Sequence, residues 1–143
     1  MNQLPAIRGS KTVGTVRSTM AVPAIVADAG DHAARRFLEF FAATIRNKNT
    51  RMAYYRAVER FFAWCERNKL GGLADIEPLH VAAYIEALQR DYEKPSVKQH
   101  LAAIRMCFDW LVTGGILATN PAHAVRGPKQ NRFPFRSPQL KIP

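Results

Sequence analysis

Apolar residues recur at helical spacing along four stretches of this chain, and no stretch alternates as a β-strand would. Asp31 reads as an N-cap, and Phe37, Leu38, Phe41 and Ile45 line one side of a helix over Ala33 to Ile45. Asn47-Lys48-Asn49 breaks that pattern. Thr50 then caps a second helix from Arg51 to Asn68, and Gly71-Gly72 ends it. Pro78 suits the first turn of a third helix reaching about Arg90, with Val81, Tyr84, Ile85 and Leu88 inward. Ser96, with Gln99 three residues on, forms a capping box. It opens a fourth helix to Thr113 that Gly114-Gly115 stops. Asn120-Pro121 marks a turn into one short helical turn.

Short links between four helices predict an all-α fold, a compact bundle over residues 31–125 that can bury a modest core. Residues 1–30 hold no period and are punctuated by Pro5, Gly9, Gly14, Pro23 and Gly30, so they read as a flexible N-terminal extension. The apolar run Met20 to Ala27 behind Arg8, Lys11 and Arg17 has the outline of a secretory signal. It is only eight residues long and Pro23 interrupts it, which favours a mobile basic arm instead. Residues 126–143 are rich in Pro and basic side chains and read as a basic tail or truncated linker, disordered like the N-terminal extension.

The length, 143 residues, allows one domain and little more. A hydrophobic content of 48% is too apolar for a disordered chain, yet no run approaches the roughly 20 apolar residues of a membrane span. Two cysteines, Cys65 and Cys107, are too few for a disulfide framework and lack metal-ligand spacing, so a cytoplasmic setting with inert packing thiols is expected. Charge changes the picture most. Twenty-one Lys and Arg against eleven Asp and Glu leave +10, of which residues 46–68 carry +4 and residues 114–143 carry +5.

At 100° per residue, Tyr54, Ala57, Val58, Phe61, Phe62, Trp64 and Cys65 of the second helix fall on one broad core arc. Arg56, Arg60 and Arg67 fall within about 40° of one another on the opposite side, and Lys48 and Arg51 sit at its start. In the fourth helix Val97, Leu101, Ile104, Phe108 and Leu111 face inward, while Lys98 and Arg105 share the outer face. The helix starts at Thr50 and Ser96 would offer backbone amides to phosphates. Such a cationic ridge suits a nucleic-acid backbone. An ordinary solvated face, with Glu59 and Glu66 beside the arginines, remains the alternative at this point. No catalytic, metal or cofactor set emerges: the four histidines are scattered and no Gly-rich phosphate loop follows a strand.

Three stretches, in order and spacing, resemble the core-binding domain of tyrosine recombinases, the phage-integrase family. They are Asn49-Thr50-Arg51-Met52-Ala53-Tyr54-Tyr55-Arg56 with Phe61-Phe62-Ala63-Trp64-Cys65, then Ile76-Glu77-Pro78-Leu79-His80-Val81-Ala82-Ala83-Tyr84-Ile85, then Ser96-Val97-Lys98-Gln99-His100-Leu101-Ala102-Ala103-Ile104-Arg105 running on through Phe108-Asp109-Trp110-Leu111 to Asn120-Pro121. The resemblance covers roughly residues 31–125. It implies a SAM-like four-helix domain, one half of a clamp on duplex DNA, that lays two helices along the major groove. On matching positions Asn49, Thr50, Arg51, Tyr54 and Arg56 would approach DNA, as would Lys98, His100 and Arg105. The cation map adds Lys48 and Arg60.

In that family a tyrosine of a second, C-terminal domain attacks the scissile phosphate, and arginines, a lysine and histidines stabilise the developing charge. Here that domain would begin near residue 130, and Tyr92 is the last tyrosine. His32-Ala33-Ala34-Arg35 and His123-Ala124-Val125-Arg126 match the family's His-x-x-Arg pattern but read as coincidence. Phe133-Pro134-Phe135-Arg136-Ser137-Pro138 departs from the expected linker and reads as a truncation. The expectation is therefore a DNA-binding domain with no catalytic residues, no metal or cofactor and no small-molecule substrate. Its partners would be double-stranded DNA and, secondarily, a full-length recombinase. A protein–protein module modulating such a recombinase and a non-functional remnant are the alternatives.

Overall fold

Two 20-residue helices, α3 (Lys48–Arg67) and α5 (Lys94–Thr113), form the spine of the computed structural model, which describes residues 20–128. The short α1 (Ala24–Ala27) leads into α2 (Asp31–Glu39), which runs on as a π-helical turn over Phe40–Thr44. A 3₁₀ turn over Leu73–Asp75 precedes α4 (Pro78–Leu88). Among the described residues there is no strand, so the all-α class read from the helical period holds. The predicted disorder of the chain ends falls mostly on residues 1–19 and 129–143, outside the described residues.

The helices meet at an aromatic centre. Phe61 and Phe62 of α3 face Phe108 of α5 edge-on, with ring centroids 6.0 and 5.8 Å apart. Phe37 of α2 reaches Phe62 at 6.2 Å, and Tyr84 of α4 reaches Phe61 at 5.1 Å. Offset and edge-to-face contacts of this kind add to the area these rings bury. No polar or charged residue is buried among the described residues. Every inward position read for the third and fourth helices is buried: Val81, Tyr84, Ile85, Leu88, Val97, Leu101, Ile104, Phe108 and Leu111.

Several local readings need correction. Residues 20–30 are not a loose extension: Ile25 and Val26 of α1 are buried in the core. Tyr55 holds this segment, its hydroxyl accepting from Ala21 N at 2.9 Å and donating to Ala21 O at 2.8 Å. Glu66 accepts from Ile25 N at 3.0 Å. Asp31 lies inside α2, whose N-cap is Gly30. The π turn widens the helix so that Phe40 and Phe41 both become buried, while Leu38 stays half-buried. Asn47, not Thr50, caps α3, because its side-chain oxygen takes Thr50 N at 3.0 Å and adds a turn to the helix. Glu93, not Ser96, precedes α5, since Pro95 fits a first turn that needs no N–H. Tyr54 and Trp64, read as core, are half-buried, and Tyr55 is buried instead. Cys65 and Cys107, read as packing thiols, are both buried.

Two further contacts fix the bundle. Arg36 Nε donates to Trp110 O and Trp110 Nε1 to Arg36 O, each at 2.9 Å, with the guanidinium 3.7 Å over the indole ring. At the chain's exit, Asn120 Nδ2 donates to Arg105 O at 3.0 Å and to Asp109 Oδ1 at 2.7 Å, fastening the closing turn to α5.

Both long helices end in Schellman motifs. In α5, Gly115 has φ 82°, and Ile116 N reaches Leu111 O at 2.9 Å. In α3 the same left-handed position is taken by Lys69, φ 63°, with Leu70 N reaching Cys65 O at 3.1 Å. The Gly71-Gly72 pair expected to end this helix lies beyond that point. A side chain in this region is strained. Lys69→Gly is expected to stabilise the fold by about 0.5–1 kcal/mol and Gly115→Ala to destabilise it by about 1 kcal/mol, read from urea denaturation midpoints.

Candidate nucleic-acid interface

Burial of Phe61, Phe62 and Cys65 sets the rotation of α3, and the 3.6-residue period then turns Arg56, Arg60 and Arg67 outward. All three are exposed, and none joins an ion pair with the described residues. Arg56 and Arg60 are separated by about 6 Å along the axis, and Arg67 lies about 10 Å further on. Glu66 makes no ion pair with this ridge, and its carboxylate accepts from Ile25 N. Lys48, Asn49 and Thr50 are exposed at the start of the same helix. The first turns of α3 and α5 contain no acidic residue, although a helix N-terminus favours one. Lys48 and Lys94 stand there instead, and the positive potential is left uncompensated within each first turn. Thr50 does not present a free amide, because Asn47 takes it.

The predicted contact residues divide into two groups. Arg51 is half-buried and donates to Ile45 O at 2.9 Å and to Arg46 O at 3.3 Å, closing the junction between the π turn and α3. Arg105 donates through Nε to Ala122 O at 3.2 Å and through its terminal nitrogen to Val125 O. Both guanidinium groups are thus engaged with backbone carbonyls. Tyr54 is half-buried against the core. Lys98 is exposed, and its stem lies beside Gly127, where the exiting chain crosses α5.

Arg60 and His100, read separately from two helices, are brought together by Tyr92. The Arg60 guanidinium lies 5.3 Å from the Tyr92 ring centre, and the His100 ring centre lies 5.1 Å from it. Tyr92 was missed from sequence, since a lone aromatic between Asp91 and Glu93 belongs to no period. His100 is half-buried, and its Nδ1 is buried with no hydrogen-bond partner. Burial, and then the Arg60 charge, lower its pKa from the ordinary 6.5.

Tyr55 and Tyr84 are poorly placed to act as nucleophiles. Burial raises the Tyr84 phenol well above its ordinary value, and burial also raises Tyr55, whose hydroxyl is committed to Ala21. The Cys65 thiol is pushed up to about 12 by burial and the adjacent Glu66. No group of three or more candidate metal ligands occurs among the described residues. No helix among them is long and apolar enough to cross a membrane.

Residues 32–115 match the phage integrase, N-terminal SAM-like domain family. The chain belongs to that family. A tyrosine recombinase XerC of Xylella fastidiosa is 30% identical over 87 residues, covering 60% of this chain and 30% of the relative. A XerC of Xanthomonas campestris pv. campestris is 30% identical over 81 residues, covering 56% of this chain and 25% of the relative. The chain spans less than a third of the length of these relatives, and the matched part is the N-terminal SAM-like domain. No solved structure matches it. The family match ends just past α5, so the Asn120 turn lies beyond it and the Arg105 brace reaches across its edge to Ala122 and Val125.

Two outcomes follow from this integrase-type domain. Arg105→Ala is expected to destabilise it by about 1–3 kcal/mol, because charged hydrogen bonds to the closing turn are lost, while Arg56→Ala stays within about 0.5 kcal/mol. Thermal denaturation separates the two. Because the unfolded chain holds a proton on His100 at a higher pH than the folded one, stability from the neutral imidazole is full above pH 6.5 and falls as pH drops through and below it. His100→Gln should make this loss shallower in urea melts compared at about pH 7.5 and about pH 5.5.

Proposed function

We propose that this chain is the DNA-binding core-binding domain of a tyrosine recombinase, acting in site-specific recombination or integration and cutting no DNA by itself. The observation that carries the reading is the exposed, unpaired arginine ridge of α3 in a domain of this family. Arginine edges present several N–H donors to phosphate oxygens, and contacts of this kind supply affinity and orientation more than sequence choice. Lys48, Asn49, Thr50, Arg56, Arg60 and Lys98 are the contact residues in this reading. Arg51, Tyr54, His100 and Arg105 act from behind by holding the surface in shape. Strand cleavage needs a phenolate-forming tyrosine among preorganised cations. Tyr55 and Tyr84 are instead buried, with raised pKa values. Recombination by a larger assembly would require those groups from elsewhere.

A protein–protein role has an observation of its own. Leu79 on α4 is 73% exposed and borders a groove of about 620 Å³ with Ala82, Ile85 and Val125. Co-purification of a recombinase with the chain after nuclease treatment would favour that role.

The DNA reading predicts a strong salt dependence. Replacing both Arg56 and Arg60 by Ala should weaken binding to duplex DNA and reduce the slope of log K against log salt by about 1 to 2. Fluorescence anisotropy across a salt series measures this, and an unchanged slope removes the two arginines from the interface.

A further inference from the structure

Two kinds of contact hold the arginines of this domain, and Arg36 makes both. Arg36, Arg51 and Arg105 donate their N–H groups to backbone carbonyls, which leaves those donors occupied. Arg60 instead has its guanidinium carbon over the Tyr92 ring, 5.3 Å from the ring centre. A cation–π contact restrains the group, and no hydrogen bond to the described residues occupies its N–H donors. Asp91 and Glu93, on either side of Tyr92, make no ion pair with Arg60, so the charge is not neutralised either.

Tyr92 is itself fixed. Its N–H donates to Leu88 O at 3.0 Å at the end of α4, and its half-buried ring packs on His100 of α5 at 5.1 Å with a 38° tilt. The Arg60–Tyr92 and Tyr92–His100 contacts therefore tie the α3 ridge to the α4–α5 loop and to α5. An exposed arginine freely sampling rotamers gives up side-chain entropy on binding, and a ring in contact with it reduces that loss in advance.

We propose that Tyr92 is a positioning residue that pre-orients Arg60, with its donors free, for a phosphate of duplex DNA. His100 contacts the same ring from α5. The assignment rests on the DNA-binding reading above. The aromatic face does this work, so a phenyl ring can replace the phenol and an aliphatic side chain cannot.

The test is a cycle of full-length variants binding a mixed-sequence duplex at low salt, each checked for its melting temperature. Tyr92→Ala should weaken binding about two- to fivefold, the worth of an exposed cation–π contact, and Tyr92→Phe should restore it to within about 1.5-fold. In an Arg60→Ala background, Tyr92→Ala should cause no further loss. Should Tyr92→Ala fail to fold, Tyr92→Leu supplies apolar volume without a π face and should show the same loss. An equal loss with and without Arg60, or no loss with Arg60 present, overturns the positioning role and leaves DNA binding standing. If Arg60→Ala alone leaves affinity unchanged, Arg60 is no phosphate contact and the role of Tyr92 falls with it. Absence of any binding by the unmodified chain overturns the DNA reading itself.

Discussion

Packing of Phe61 and Phe62 against Phe108 governs the rest of this domain. The three rings meet edge-on at the crossing of the two longest helices, and Phe37 and Tyr84 close the cluster from α2 and α4. A helix locked at two consecutive aromatic positions cannot roll about its axis. Its opposite face is then dictated as well, and in α3 that face carries Arg56, Arg60 and Arg67. Core and candidate interface are thus two consequences of one rotation. A roll of one residue position, about 100°, would bring the arginine side toward the core, where an unpaired cation is not tolerated.

Residue type does not decide role here; surroundings do. Three arginines serve as braces: Arg36 between α2 and α5, Arg51 at the start of α3, and Arg105 at the closing turn. Arg56, Arg60 and Arg67 stand in solvent. The tyrosines divide in the same way. Tyr55 fastens the N-terminal segment, Tyr84 fills the aromatic centre, and Tyr92 carries Arg60. A surface built for a polyanion needs charges that are placed but not satisfied. The domain keeps the two kinds of arginine apart by lending carbonyls to Arg36, Arg51 and Arg105 and none to Arg56, Arg60 and Arg67, of which Arg60 meets a ring.

The helix starts show how local chemistry is settled by competition. Asn47 and Thr50 are both competent caps, and the earlier one prevails because the added turn brings more backbone hydrogen bonds. Pro95 and Glu93 likewise begin α5 ahead of Ser96. These shifts move Lys48 and Lys94 into the first turns, where their charge adds to the helix dipole instead of offsetting it. That arrangement is locally unfavourable and becomes useful beside an anion.

The hydrophobic period alone determined the all-α class, the existence of all four main helices, and nearly all inward positions of α4 and α5. It also determined the outward direction of Arg56 and Arg60, since each follows from 3.6 residues per turn acting on a strongly segregated pattern. Only the tertiary structure decided that Ile25 and Val26 belong to the core, because a four-residue helix is too short to show a period. Only the fold decided that Arg51 and Arg105 are spent on carbonyls, because those acceptors come from loops whose course no spacing encodes. The meeting of Arg60, Tyr92 and His100 across three elements was equally hidden. It depends on how α3 and α5 cross, and a crossing is set by the packing of side chains from both helices at once.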